Sequence, residues 1–353
     1  MRLFTDNIEQ YVLNCQMELS NKEFNEANIM RDRNDNQEIK VSVFCATYNH
    51  ERYIRRTLDG FVNQKTKFKY EVFVHDDASS DGTKAIILEY AEKYPNIIIP
   101  ILQNINQYSK GVNILKTYVL PKMRGKYIAT CEGDDYWSDE YKLQKQVDFL
   151  ENHVEYSACV HNSIREDMFK KKISLFNDSL EAYDLNAEHV MLRGGADYHT
   201  SSLMYRVEYA MESNSDMRPD FFDKPKNIGD YPLSIFLTIK GKVRYLPDTM
   251  SVYRFGTPGS WSSNIRNARN FVETEYSLID MLKSVDEYTD FHYHITIQSV
   301  IEKHYLKILN LETNLNVLKS EEMIQIFQTQ KAIRRCIILI KLLFVNKFLY
   351  YKE

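Results

Sequence analysis

The sequence predicts an α/β protein built on a doubly wound, mainly parallel sheet with helices on both faces, followed by a C-terminal helical region. Three observations carry this. Short apolar runs alternate with segments of helical spacing between residues 40 and 161. Polar stretches rich in turn formers close those runs. After about residue 270 the pattern becomes helical, with little glycine or proline.

The elements follow in order. Residues 5–20 have the spacing of a short amphipathic helix, and MRDRNDNQE (30–38) reads as a linker. KVSVFCA (40–46) is a buried strand, and ERYIRRTLDGFVNQ (51–64) a helix with Ile54, Leu58, Phe61 and Val62 on one face. YEVFVH (70–75) is a second strand, TKAIILEYAEKY (83–94) a second helix, IIIPIL (97–102) a third apolar run and KYIATC (126–131) a fourth strand. Ser138 is placed to cap a helix over DEYKLQKQVDFLENH, and YSACVH (156–161) is a fifth strand. In such sheets ligands gather beyond the carboxyl ends of the strands, which points to residues 46–50, 75–82, 131–137 and 161–162.

With 353 residues, 44% hydrophobic and 27% charged, the chain can bury a sizeable core, and a formal net charge of -4 gives no pull toward nucleic acid. The five cysteines, Cys15, Cys45, Cys131, Cys159 and Cys336, form no C-x-x-C pair, so neither a disulfide framework nor a zinc site is expected. The start, MRLFTDNIEQYVL, lacks the unbroken apolar stretch of a signal peptide; a cytoplasmic place, or the inner face of the cell membrane, is the simplest expectation. RRCIILIKLLFVNKFLYYK (334–352) is apolar but broken by Lys341, Asn346 and Lys347. It reads either as a basic helix on an anionic membrane surface or as a helix packed on protein, including a second subunit.

Chemistry concentrates in CEGDDYW (131–137), where Glu132, Asp134 and Asp135 crowd together after an apolar strand. Like charges repel, and carboxylates near a core lose hydration; a cation offsets both costs. Asp135 is the expected metal ligand, with Asp134 reaching a ribose hydroxyl or a metal-bound water. The plainer reading is an acidic lead-in to the helix that follows. VHDDASSDGT (74–83) offers Asp76 and Asp77 at another strand end, where a carboxylate can accept the imide N–H of a uracil. An Asx-type turn cornered on Asp81-Gly82 accounts for the rest of that loop.

Together, VSVFCATYNHERYI, EVFVHDDASSDGT and GKYIATCEGDDYWSDEYKLQKQVDFLE resemble the family 2 glycosyltransferases, inverting enzymes of GT-A fold, over roughly residues 39–260. The resemblance implies a nucleotide-sugar donor, usually of uridine diphosphate, Mg²⁺ or Mn²⁺, and work in bacterial polysaccharide synthesis. It implies donor contacts from Thr47 and Asn49, a base contact from Asp76 or Asp77, and a metal-binding role for the acidic triplet. On this reading residues 1–38 are a helix and linker, 39–162 the nucleotide-sugar half, 163–262 the acceptor half and 263–353 the helical region, whose helices offer a route to oligomers. Asp230, in KNIGDYPLSIFL, matches the position of the family's catalytic acid residue and becomes the expected general base; by itself it is an ordinary first-turn aspartate. In MSVYRFGTPGSWS (250–262) the histidine that relatives carry after the Tyr-Arg pair is absent. Arg254 is then the candidate for the diphosphate and Trp261 for a sugar, while His199 is a weaker candidate for acceptor or diphosphate. The acceptor is expected to be a glycan or lipid-linked glycan. A sugar nucleotidyltransferase fits poorly, because no glycine-rich loop follows the first strand, and a non-catalytic binding module would not need all of these acids.

Overall fold

The computed structural model describes residues 38–225, 228–260 and 268–311, with residues 10, 324 and 328 as isolated positions. Apart from residues 10 and 38, the expected N-terminal helix and linker lie outside the described residues, as do Trp261 and the 334–352 segment. Two compact units form: residues 1–218 with 233–262, and residues 219–232 with 263–353.

In the first unit, β1 (Ile39–Thr47), β2 (Lys69–Asp76), β3 (Ile98–Leu102) and β4 (Tyr127–Thr130) align in the order β3-β2-β1-β4, all parallel. These strands read as continuous apolar runs because both faces are covered. On one face Val41, Val43, Cys45, Val72 and Val74 pack with Ile54, Leu58, Phe61 and Val62 of α1 (Ile54–Val62) and with Ile87 of α2 (Thr83–Lys93). On the other, Phe73 and Ile101 meet Val119. Glu71, fully buried on β2, accepts hydrogen bonds from the Ser42 hydroxyl at 2.7 Å, from the Arg124 amide at 2.8 Å and from its guanidinium at 2.6 Å.

Beyond β4 the sheet becomes mixed. β9 (Met204–Arg206) runs antiparallel to β4 and to β6 (Tyr156–Asp167), and β10 (Lys242–Phe255) lies parallel to β6. Short β5 (Tyr136–Trp137) and β8 (Tyr183–Leu185) pair antiparallel with β10, and β7 (Lys172–Leu175) with β6. One expectation is corrected here: Ser138 caps no helix. α3 begins at Lys142 (Lys142–Asn152), because Tyr136 and Trp137 are drawn into the sheet and the Ser138 amide donates to Met250 O at 3.0 Å. The remaining helices before β10 are α4 (Ala187–Arg193), α5 (Val207–Ser213) and α6 (Asp230–Lys240), the first three residues of α6 belonging to the second unit.

In the second unit α7 (Ala268–Tyr288) and α8 (His294–Leu311) pack on each other. Met281, Leu282 and Val285 are buried on α7, and Ile297, Ile301 and Ile308 on α8, while His304 Nδ1 lies 2.5 Å from Glu275 Oε2 across the pair. No helix among the described residues is long and apolar enough to cross a membrane.

Lys142 is fully buried in the first unit: its ammonium lies 4.1 Å from the centre of the Trp137 ring and donates to Gln146 Oε1 at 2.8 Å. Burial pulls its pKa down to about 7. The unfolded chain therefore holds more protons than the folded one from about pH 7 up to the ordinary lysine value of about 10.4. Wild type should gain stability relative to Lys142→Met as pH rises from 7 to 9, on the order of 1 kcal/mol per pH unit, in urea unfolding of both proteins. A pH-independent difference would show that the amine is not held neutral.

Candidate active site

The acidic segment sits in the first unit, where β4 runs out beside β1. The Cys131 amide donates to Phe44 O at 3.1 Å and the Gly133 amide to Ala46 O at 2.9 Å, so the ladder continues into the acids themselves. Gly133 has no room for a side chain: a Cβ would stand 2.5 Å from Thr47 Oγ1 and 2.9 Å from His50 Nδ1. From α1, the Thr57 hydroxyl reaches Gly133 O at 2.9 Å and Asp135 O at 2.5 Å. At Gly60 the same helix comes so close that a Cβ would stand 2.8 Å from Trp137 O. The Trp137 indole N–H donates to Ser201 O at 2.9 Å, and the β5–β10 pairing fixes the far side of the loop.

One oxygen each from Glu132, Asp134 and Asp135 lies within 4.8 Å of the others. Glu132 is exposed, whereas Asp134 is 4% and Asp135 1% exposed. Asp134 Oδ2 accepts the Thr257 hydroxyl at 2.6 Å, and Asp135 Oδ1 accepts the Arg254 amide at 2.8 Å. Asp135 Oδ2 is buried and has no hydrogen-bond partner. Burial, reinforced by the neighbouring Asp134 and Glu132 charges, raises the Asp135 carboxyl well above its ordinary range; Arg254 offsets only part of this. A buried carboxylate oxygen without a donor, beside two further carboxylates, fits a hard divalent cation.

Two imidazoles flank the aspartates. His50 Nε2 lies 4.0 Å from Asp134 Oδ2, and its Nδ1 lies 3.1 Å from Thr47 Oγ1. His199 Nδ1 lies 3.4 Å from Asp135 Oδ2, and its ring stacks on Tyr253 at 3.8 Å. Burial lowers both, His199 to about 3, so both rings are neutral.

The structure thus brings Thr47, Asp134, Asp135, His199 and Arg254 together. Arg254 serves the acids through its backbone amide, and its guanidinium donates to Asp134 O at 2.5 Å and lies over the Tyr136 ring at 4.6 Å. The other candidates on the donor side tie loops to one another. Asn49, with a φ of 56°, accepts the Ser80 amide at 2.8 Å. Asp76, fully buried, accepts from the Ser79 hydroxyl, and Asp77 accepts the Gln107 and Tyr108 amides at 2.7 and 3.0 Å. Asp230 opens α6 and accepts the Tyr231 amide at 2.9 Å. Its side chain is exposed to solvent. Thr57, His50 and Thr257 are functional neighbours that the sequence motifs do not mark; Thr257 lies between the candidates Arg254 and Trp261.

The family model for Glycosyl transferase family 2 matches residues 42–213. An uncharacterized protein of Mycobacterium tuberculosis, Rv1520, is 39% identical over 238 residues, which are 66% of this chain and 64% of that protein, so the match spans less than two thirds of the relative's length. The poly(ribitol-phosphate) beta-glucosyltransferase of Bacillus spizizenii is 33% identical over 107 residues, 30% of this chain and 16% of that one. Among solved structures, residues 1–349 of Staphylococcus aureus TarS in complex with UDP superpose with a TM-score of 0.53 at 16% identity, covering 84% of this chain and 77% of that one. Sequence match, sheet topology and acidic loop agree: the chain belongs to the family 2 glycosyltransferases and has the GT-A fold.

Proposed function

We propose that the protein is an inverting glycosyltransferase that moves a sugar from a UDP-sugar to a hydroxyl of a cell-surface polysaccharide or glycan, with a divalent cation at the acidic loop. The observation that carries this is the buried, donorless Oδ2 of Asp135 beside Asp134, on the shelf beyond the strand ends where nucleotides bind in such sheets. Family membership supports the reaction class. TarS, a solved neighbour, has been determined with UDP and with UDP-GlcNAc, which supports a uridine nucleotide.

Asp135 and Asp134 would hold the cation, Mg²⁺ or Mn²⁺, whose charge stabilises the departing diphosphate. Asp76 or Asp77, at the end of β2, is the carboxylate offered to the base; Asp76 also accepts from Ser79, and Asp77 from the Gln107 and Tyr108 amides. Asp230 is the general base: it takes the proton of the acceptor hydroxyl as that oxygen bonds to the anomeric carbon and the bond from that carbon to the diphosphate oxygen breaks on the opposite side. A carboxylate open to water suits that task.

The test is nucleotide-dependent stabilisation followed by transfer. Saturating UDP with Mn²⁺ should raise the melting temperature by about 5 °C, GDP, CDP and dTDP less, and Asp135→Ala should abolish the Mn²⁺-dependent part. Folded protein indifferent to all four nucleotides would be a binding module that has lost its donor site. Asp230→Asn should leave UDP binding unchanged while transfer falls about 10³-fold; unchanged transfer would remove Asp230 from the role of base.

A further inference from the structure

We propose that His199 is a nitrogen donor to the cation at the acidic loop, making the site selective for a transition-metal ion such as Mn²⁺ over Mg²⁺. The inference rests on the cation reading above and assigns a ligand that the acidic motif does not contain.

The geometry begins at Asp135 Oδ2, the buried oxygen that no donor satisfies. His199 Nδ1 faces it at 3.4 Å. An N–H donated to a carboxylate closes to about 2.7–3.2 Å, so this pair is looser than a hydrogen bond. Two ligand atoms about 2.1 Å from one six-coordinate ion, in adjacent positions, stand about 3 Å apart. The observed spacing needs only a small inward adjustment to become that of two ligands sharing an ion.

The ring is already oriented. It stacks on Tyr253 with an interplanar angle of 17°, and the Phe176 ring stands against it edge-on at 5.9 Å. Its nitrogen is also releasable. Ser201 Oγ lies 2.9 Å from Nδ1, but the same hydroxyl lies 2.9 Å from Ser251 Oγ, which in turn lies 2.8 Å from Ser163 Oγ. All three serines are fully buried. When the Nδ1 lone pair turns to a cation, the Ser201 hydroxyl rotates to Ser251, and the one bond given up is the long one from the Ser201 amide. The Ser201 amide, 3.3 Å from Nδ1, is a distant competitor. His50 is the weaker candidate, because its Nε2 is 4.0 Å from an Asp134 oxygen that already accepts the Thr257 hydroxyl. Imidazole is a poor partner for Mg²⁺, which prefers oxygen, and a better one for transition metals.

The test is pulsed electron paramagnetic resonance of the full chain with Mn²⁺, alone and with UDP, alongside Mn²⁺ and Mg²⁺ affinities by calorimetry. The expected result is a nitrogen hyperfine coupling to bound Mn²⁺ that persists in His50→Asn and disappears in His199→Asn and His199→Gln. Mn²⁺ affinity should fall on the order of tenfold in the His199 variants, and Mg²⁺ affinity far less. Bound Mn²⁺ without nitrogen coupling in the wild-type protein overturns this inference while leaving the cation reading intact. Coupling lost only in His50→Asn overturns the assignment to His199. Absence of Mn²⁺ binding under both conditions overturns the inference and the cation reading together. A wild-type spectrum without nitrogen coupling overturns the inference whether or not a variant misfolds, and two substitutions at His199 guard the assignment against the misfolding of one.

Discussion

Holding three carboxylates within 4.8 Å of one another, two of them buried, is the constraint around which this part of the molecule is arranged. In the unfolded chain water screens these charges; in the fold, repulsion and lost hydration both oppose the loop. Backbone and side-chain contacts pull the other way from three directions. The edge of β1 takes the Cys131 and Gly133 amides, Thr57 of α1 takes two carbonyls, and β10 supplies the Arg254 amide and the Thr257 hydroxyl. Gly60 and Gly133 are where that clamp comes too close to admit even a methyl group. The loop is thus rigid before any cation arrives, which lowers the ordering cost of binding one.

The loops after β1 and β2 are organised by the same economy of contacts. Asp76 and Asp77 are adjacent in sequence, yet one stays at the strand end with Ser79 and the other caps the loop through Gln107 and Tyr108. Asn49 and Ser80 join the β1 and β2 loops to each other. Residues that a motif presents as equivalent therefore secure different parts of these loops.

Much of the fold could be read from the sequence because the parallel strands are buried on both faces, so Val41 to Cys45 and Tyr70 to Val74 stand out as apolar runs. The short strands β5, β8 and β9, of two or three residues, leave no such trace; they exist because β10 and β4 offer them an edge. The same long-range pairing defeated the expected cap at Ser138. The acids were legible for the converse reason, since clustered charge at a strand end is locally improbable without a partner. His199 and Thr257 were not distinguishable as neighbours of the acids, because a separation of 64 residues from Asp135 in one case and 123 from Asp134 in the other is closed only by the sheet.

That separation has a consequence for biosynthesis. The Arg254–Asp135 hydrogen bond spans 119 residues, and β10 is the last strand of the sheet to be made although it lies between β6 and β5. During vectorial synthesis the emerging chain carries its acidic loop, with β4 already able to pair β1, well before the strand that secures the loop's far side leaves the ribosome. Until then Asp134 and Asp135 have no reason to be buried, and β6 presents an open edge where β10 will lie. Chaperone engagement and proteolytic loss during translation would therefore concentrate on chains that end between residues 167 and 242.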